Sequence, residues 1–181
     1  MQETVKKIWN RTTTILVAVV VLIAVLLVGP RLLGFQPFTV LSGSMEPAYP
    51  VGTLIYVKST EVNALQTGDV ITFMVSEDTV ATHRIVEVIP DKEEPDTLWF
   101  RTKGDANESV DGALVHYRNV IGTPIFKIPK LGYLSSYIQE PPGLYVAICI
   151  GAILMLLVLL PELLWGKEET EKRRKEDENE E

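Results

Sequence analysis

Two uncharged apolar runs divide this chain and limit what it can fold into. Thr12 to Pro30 carries no charged side chain. At helical rise its 19 residues span roughly 28 Å, close to the hydrocarbon thickness of a bilayer. Gly143 to Leu160 is the second such run, and it has no polar face to turn toward water as an amphipathic core helix would. The first run is long for the core of a cleaved leader, and Gly29-Pro30-Arg31 is a poor cleavage site for one. Both runs are therefore read as retained membrane helices, over 12–33 and 143–165.

Charge sets the expected orientation. Lys6, Lys7 and Arg11 precede the first run and Arg31 alone closely follows it. Lys167, Lys172, Arg173, Arg174 and Lys175 lie behind the second. Positive flanks stay in the cytoplasm, which puts 1–11 and the charged tail 166–181 inside and 34–142 outside. Trp9 and Trp165 fall at the expected cytoplasmic edges, where tryptophan anchors. The formal net charge is −7, and much of the acid sits in the tail. Without a basic stripe interleaved with aromatics, nothing points to nucleic acid. The single cysteine, Cys149, lies in the second run, so neither an intrachain disulfide nor a cysteine zinc site is available. No cofactor or metal is expected, since no spacing of the His-Glu-x-x-His kind occurs.

The intervening domain, about 110 residues, is long enough for one modest core. Its signals are those of strands separated by turns: Thr53–Val57, Val70–Val75, Thr79–Ile89, Thr97–Thr102 and Arg118–Ile128. Pro124 marks part of the last as an edge or bulge. No window of 11 to 18 residues has a helical period. The expected fold class is mainly β, a barrel or folded sheet flanked by two membrane helices.

Three stretches carry candidate chemistry. Leu41-Ser42-Gly43-Ser44-Met45-Glu46-Pro47 follows the first run, and a serine between a glycine and a short proline turn can stand clear of regular structure. Its hydroxyl is a nucleophile only beside a base. His83 lies in Thr82-His83-Arg84-Ile85, and the other histidine, His116, has no distinctive surroundings. Lys103-Gly104-Asp105-Ala106-Asn107 is a tight turn, with Asp111 six residues beyond Asp105. Each stretch also reads as ordinary structure: a polar turn, a packed strand histidine and a hairpin loop.

In this order, and behind an N-terminal anchor, Ser-Gly-Ser-Met-Glu-Pro, His-Arg-Ile and Lys-Gly-Asp-Ala-Asn with its second aspartate resemble type I signal peptidases. The histidine resembles the branch of archaea and the endoplasmic reticulum, where the bacterial majority has a lysine. The resemblance implies a serine endopeptidase that removes signal peptides from preproteins after small residues. It implies Ser44 as nucleophile, His83 as general base, and Asp111 as the group that orients His83, with Asp105 supporting the site. Ser42 would join the Ser44 N–H in an oxyanion hole. A substrate strand would lie against the edges near Phe38 and Val40 and near Val80, Ala81 and Thr82. The implied partners are preprotein signal peptides, the bilayer, and translocon or accessory peptidase subunits. The implied place is the plasma membrane, or the endoplasmic reticulum in a eukaryote. Rival readings are a self-cleaving regulatory protease with a lysine base, a metal site from His83, His116, Asp105 and Asp111, and a noncatalytic membrane-anchored β scaffold in which Ser44, His83 and Asp111 would lie scattered.

Overall fold

The computed structural model describes residues 2–91, 94 and 97–160. The expected tail 166–181, the end of the second run at 161–165, and parts of the acidic loop after Asp91 lie outside these residues. The described chain divides into two units, 27–137 and a helical unit built from the two ends.

The helical unit holds most of α1 (Gln2–Leu32) and, among its described residues, α3 (Gly143–Leu160). Both helices are long and apolar enough to cross a membrane. Helix α1 starts about ten residues earlier than the apolar run, so the basic flank with Lys6, Lys7 and Arg11 is helical too. Trp9 Nε1 donates to the Leu157 carbonyl at 3.3 Å. The end of α1 is closed by Gly34, whose φ of +82° is open to a residue without Cβ. Gly34 N–H donates to the Arg31 carbonyl and Phe35 N–H to that of Pro30, which satisfies two carbonyls that the helix end leaves free.

The second unit is a seven-stranded antiparallel sheet in the order β1-β2-β7-β3-β4-β5-β6. The strands are β1 (Gln36–Thr39), β2 (Leu54–Lys58), β3 (Val70–Ser76), β4 (Thr79–Pro90), β5 (Leu98–Lys103), β6 (Val115–His116) and β7 (Val120–Ile128). The five expected strands are present with ends shifted by one or two residues. Two short ones, β1 and β6, are additional. Helix α2 (Leu131–Gln139) is also additional, and at nine residues it falls below the window in which a helical period can be read. Its Gly132 lets the helix start close against the sheet: a Cβ there would meet the Gly52 carbonyl at 2.7 Å and Thr39 Cγ2 at 2.8 Å.

Strand β7 folds the sheet by changing partners along its length. Its first residues pair with β3 and its later ones with β2. The change falls at Gly122 and at a bulge where Val57 faces Pro124. Gly122 has φ +155°, and a Cβ on it would stand 2.0 Å from the Lys58 carbonyl. Proline at the bulge removes no needed donor.

Packing follows this fold. Ile71, Phe73, Ile85, Phe100, Val115 and Leu65 make one buried cluster. Leu54 to Val57 of β2 are buried on both faces, and Tyr56 stacks on Phe126 with ring centroids 4.4 Å apart. Burying each such large side chain contributes about 1.5–3 kcal/mol, and no disulfide is needed. Strand β4 is then rooted in the main cluster through Ile85, which fixes the strand that carries His83.

Candidate active site

The segment after β1 places Ser44. Val40 N–H donates to the Thr53 carbonyl, and Gly43–Met45 form one turn of 3-10 helix. Met45 is buried and pins that turn, leaving Ser44 at the surface of a cleft. The Gly104-Asp105-Ala106 turn closes on it from the far side: Ala106 N–H donates to the Ser44 carbonyl at 2.9 Å. Asp105 N–H points at Met45 Sδ at 3.4 Å. Gly104 must lack a side chain here, because a Cβ would stand 2.6 Å from the same Ser44 carbonyl oxygen.

Ser44 Oγ lies 3.1 Å from His83 Nε2, and His83 Nδ1 lies 2.6 Å from Asp111 Oδ2. A carboxylate only accepts, so Nδ1 carries the proton and Nε2 offers its lone pair to the serine hydroxyl. Thr102, fully buried, donates from Oγ1 to the same Asp111 oxygen at 2.6 Å. The Asp111 N–H returns to the Thr102 carbonyl, so the aspartate is held at both ends. Phe73 lies edge-on to the imidazole with centroids 6.2 Å apart. The His83 and Asp111 side chains are 14% and 23% exposed, enough shielding to strengthen their contact over one in bulk water.

Asp105 takes another partner. Its two oxygens receive Arg84 Nε and Nη2 at 2.9 and 2.7 Å, and Arg84 Nη1 donates to the Gly68 carbonyl. The guanidinium hydrogen bond holds the Asp105 carboxyl below its ordinary range and raises the Arg84 value. Strand alternation sends His83 and Arg84 to opposite faces, and each collects one of the two aspartates. Burial raises the Tyr49 phenol, against the pull of nearby Arg84.

Ser42 Oγ lies 3.2 Å from Ser44 Oγ, so one hydroxyl donates to the other. A cleft of about 420 Å³ opens beside them. Phe38, Val40, Val80, Ala81 and Thr82, the expected substrate contacts, all line it, together with Ser42, Ser44 and His83. Tyr49, Ile55 and Asp78 line it as well and were not singled out from the sequence. Strand β1 ends the sheet, and β4 pairs with β5 only from Arg84 onward. The cleft thus lies between two strand edges that have no partner among the described residues. His116 stands elsewhere, against Trp99 with centroids 4.6 Å apart, so the four residues of the imagined metal site are not brought together. Nor are Ser44, His83 and Asp111 scattered, as a scaffold without chemistry would allow.

Comparison with known proteins gives a consistent result. Residues 11–96 match the family model described as signal peptidase, peptidase S26. That stretch contains Ser44 and His83 and ends before the two aspartates. Signal peptidase I W of Bacillus subtilis is 49% identical over 92 residues, 50% of this chain and 47% of that protein. The signal peptidase complex catalytic subunit of Fusarium vanettenii is 31% identical over 132 residues, 68% of this chain and 74% of that protein. That of Eremothecium gossypii is 33% identical over 130 residues, 67% of this chain and 75% of that protein. The chain therefore spans about half of the Bacillus protein and about three quarters of the two fungal ones.

Proposed function

This chain belongs to the signal peptidase family, peptidase S26, and from that premise we propose that it is a membrane-bound serine endopeptidase that removes N-terminal signal peptides from preproteins. The observation that carries the proposal is the hydrogen-bonded line Ser44–His83–Asp111, whose serine and histidine line a cleft between two strand edges.

The chemistry runs through this line. His83 Nε2 takes the Ser44 proton as Oγ attacks the carbonyl carbon of the scissile bond. Asp111 keeps the ring in the right tautomer and balances the imidazolium that forms. The oxyanion is met by the Ser44 N–H and, after rotation toward the substrate, the Ser42 hydroxyl. One such donor is typically worth about 3 kcal/mol in the transition state. Collapse of the tetrahedral intermediate breaks the C–N bond, and His83 passes its proton to the amine of the departing mature chain. The signal peptide stays as an ester on Ser44 until His83 deprotonates a water that hydrolyses it.

An extended substrate adds as a strand between Phe38–Val40 and Val80–Thr82, with its alternate side chains in the cleft. Small side chains at the cleavage site are what the resemblance to signal peptidases implies. The membrane arrangement follows the charges: 12–33 and 143–165 span the bilayer, 1–11 and 166–181 stay in the cytoplasm, and 34–142 works outside. Anchoring beside the bilayer raises the effective concentration of the enzyme at a substrate whose apolar core is also in the membrane. Because two relatives are named as catalytic subunits of a complex, accessory subunits are further partners of this reading.

The test is to mix the full chain in detergent with a preprotein and sequence the N-termini of the products. The expected product begins at the mature residue and is absent with His83→Ala. A folded chain that releases no such product contradicts the proposal.

A further inference from the structure

The turn between β3 and β4 consists of Glu77 and Asp78. Of these, Asp78 lines the cleft that holds Ser44 and His83. It is the one carboxylate among the described residues lining that cleft, and it is exposed. No hydrogen bond or ion pair reaches it among the described residues. An anionic group so placed, with no ion-pair partner among the described residues, faces whatever enters the cleft.

Its position along the substrate follows from the strand. Asp78 immediately precedes β4 and stands five residues before His83, about 16 Å at the rise of a strand. A peptide lying along the free edge of β4 has the same rise, so the residue facing Asp78 is about five from the one attacked by Ser44. The chain also fixes the direction. Helix α1 leads into β1 after residues 33–35, so Phe38 marks the α1 end of the cleft. Four successive antiparallel pairings separate β1 from β4, so the two strands run in the same sense, and Phe38 and Asp78 lie toward the same end of the two walls. A signal peptide whose apolar core shares the bilayer with α1 reaches the cleft from the same end.

From this placement we infer that Asp78 is a specificity-determining residue, which favours a lysine or arginine and disfavours an acidic residue about five positions before the scissile bond. This rests on the peptidase reading. Because the carboxylate is exposed, the selection is graded: a charge at that position changes kcat/KM by about threefold to fivefold in either direction relative to a neutral residue.

The experiment uses the full chain in detergent and three preproteins that carry Lys, Gln or Glu at the fifth residue before the cleavage site. Asp78, Asp78→Asn and Asp78→Lys enzymes are compared by kcat/KM. The expected order is Lys over Gln over Glu for Asp78, a nearly flat series for Asp78→Asn, and the reverse order for Asp78→Lys. Raising the salt from about 50 to 500 mM should compress the Asp78 series, as screening requires. The same ratio of Lys to Glu substrate in all three enzymes would overturn the inference. Cleavage of the Gln preprotein by Asp78 enzyme but not by Ser44→Ala keeps the two readings apart. If that cleavage occurs and the ratios do not move, only the role of Asp78 falls. If the folded enzyme leaves the Gln preprotein uncut, the peptidase reading falls and the inference with it.

Discussion

Asp111 Oδ2 lies 2.6 Å from His83 Nδ1, while Asp105, six residues earlier in the chain, is gripped by Arg84, the next residue along the same strand. One strand therefore divides two aspartates between its two faces. The first completes a hydrogen-bonded line to Ser44 through His83, and the second anchors the turn whose Ala106 N–H holds the Ser44 carbonyl.

The two aspartates should then fail differently. Asp111→Ala leaves His83 without its tautomer-fixing acceptor and is expected to lower kcat by about 10³- to 10⁴-fold. Asp105→Ala is expected to lower it less and to cost about 1 kcal/mol of stability. Steady-state rates and melting of both variants check this. A larger loss of kcat from Asp105→Ala would reverse the assignment.

Stability in acid follows from the Arg84 pair. The Asp105 carboxyl is held below its ordinary value of 3.8 by the Arg84 hydrogen bond. A depressed carboxylate adds stability that is present above its unfolded value and lost as pH falls through the folded one. With Arg84 38% exposed, solvent screening limits the contribution to about 1 kcal/mol. Thermal midpoints of the full chain and of Asp105→Asn should therefore differ by a constant amount from pH 7 to about pH 4 and converge below it. A gap unchanged down to about pH 2 would contradict the assignment.

Thr102 tests whether the hold on Asp111 matters to the reaction. Thr102→Val keeps the shape and removes the donor to Asp111 Oδ2. A hydrogen bond to a charged group is worth about 1.5–3 kcal/mol. The expected result is a drop in kcat of about tenfold or more with KM little changed, and recovery in Thr102→Ser. An equal loss in Thr102→Ser would mean that packing of the methyl, not the hydroxyl, is at stake.

The chain showed much of this in advance, and the reasons differ from residue to residue. Ser44 and His83 stand in short motifs whose local chemistry is visible, and the apolar runs announce α1 and α3. The partition of the aspartates was half legible. Alternation along Thr82-His83-Arg84 already places Arg84 away from His83, but which loop carboxylate reaches which face depends on how residues 104–111 fold back. Strands β1 and β6 are too short to leave a period, and α2 contains Gly132 and two serines in nine residues. Tyr49 and Asp78 line the cleft beside Ser44 and His83, a long-range arrangement that no local pattern records.

The most direct measurement is a rapid acid quench of the full chain with a preprotein, followed by mass analysis of the peptide containing Ser44, alongside the same reaction with Ser44→Ala. The expected result is the signal peptide bound as an ester to Ser44 in the parent, and neither adduct nor mature product from the variant. Mature product released by Ser44→Ala at the parent's rate would contradict the assignment of Ser44 as the nucleophile.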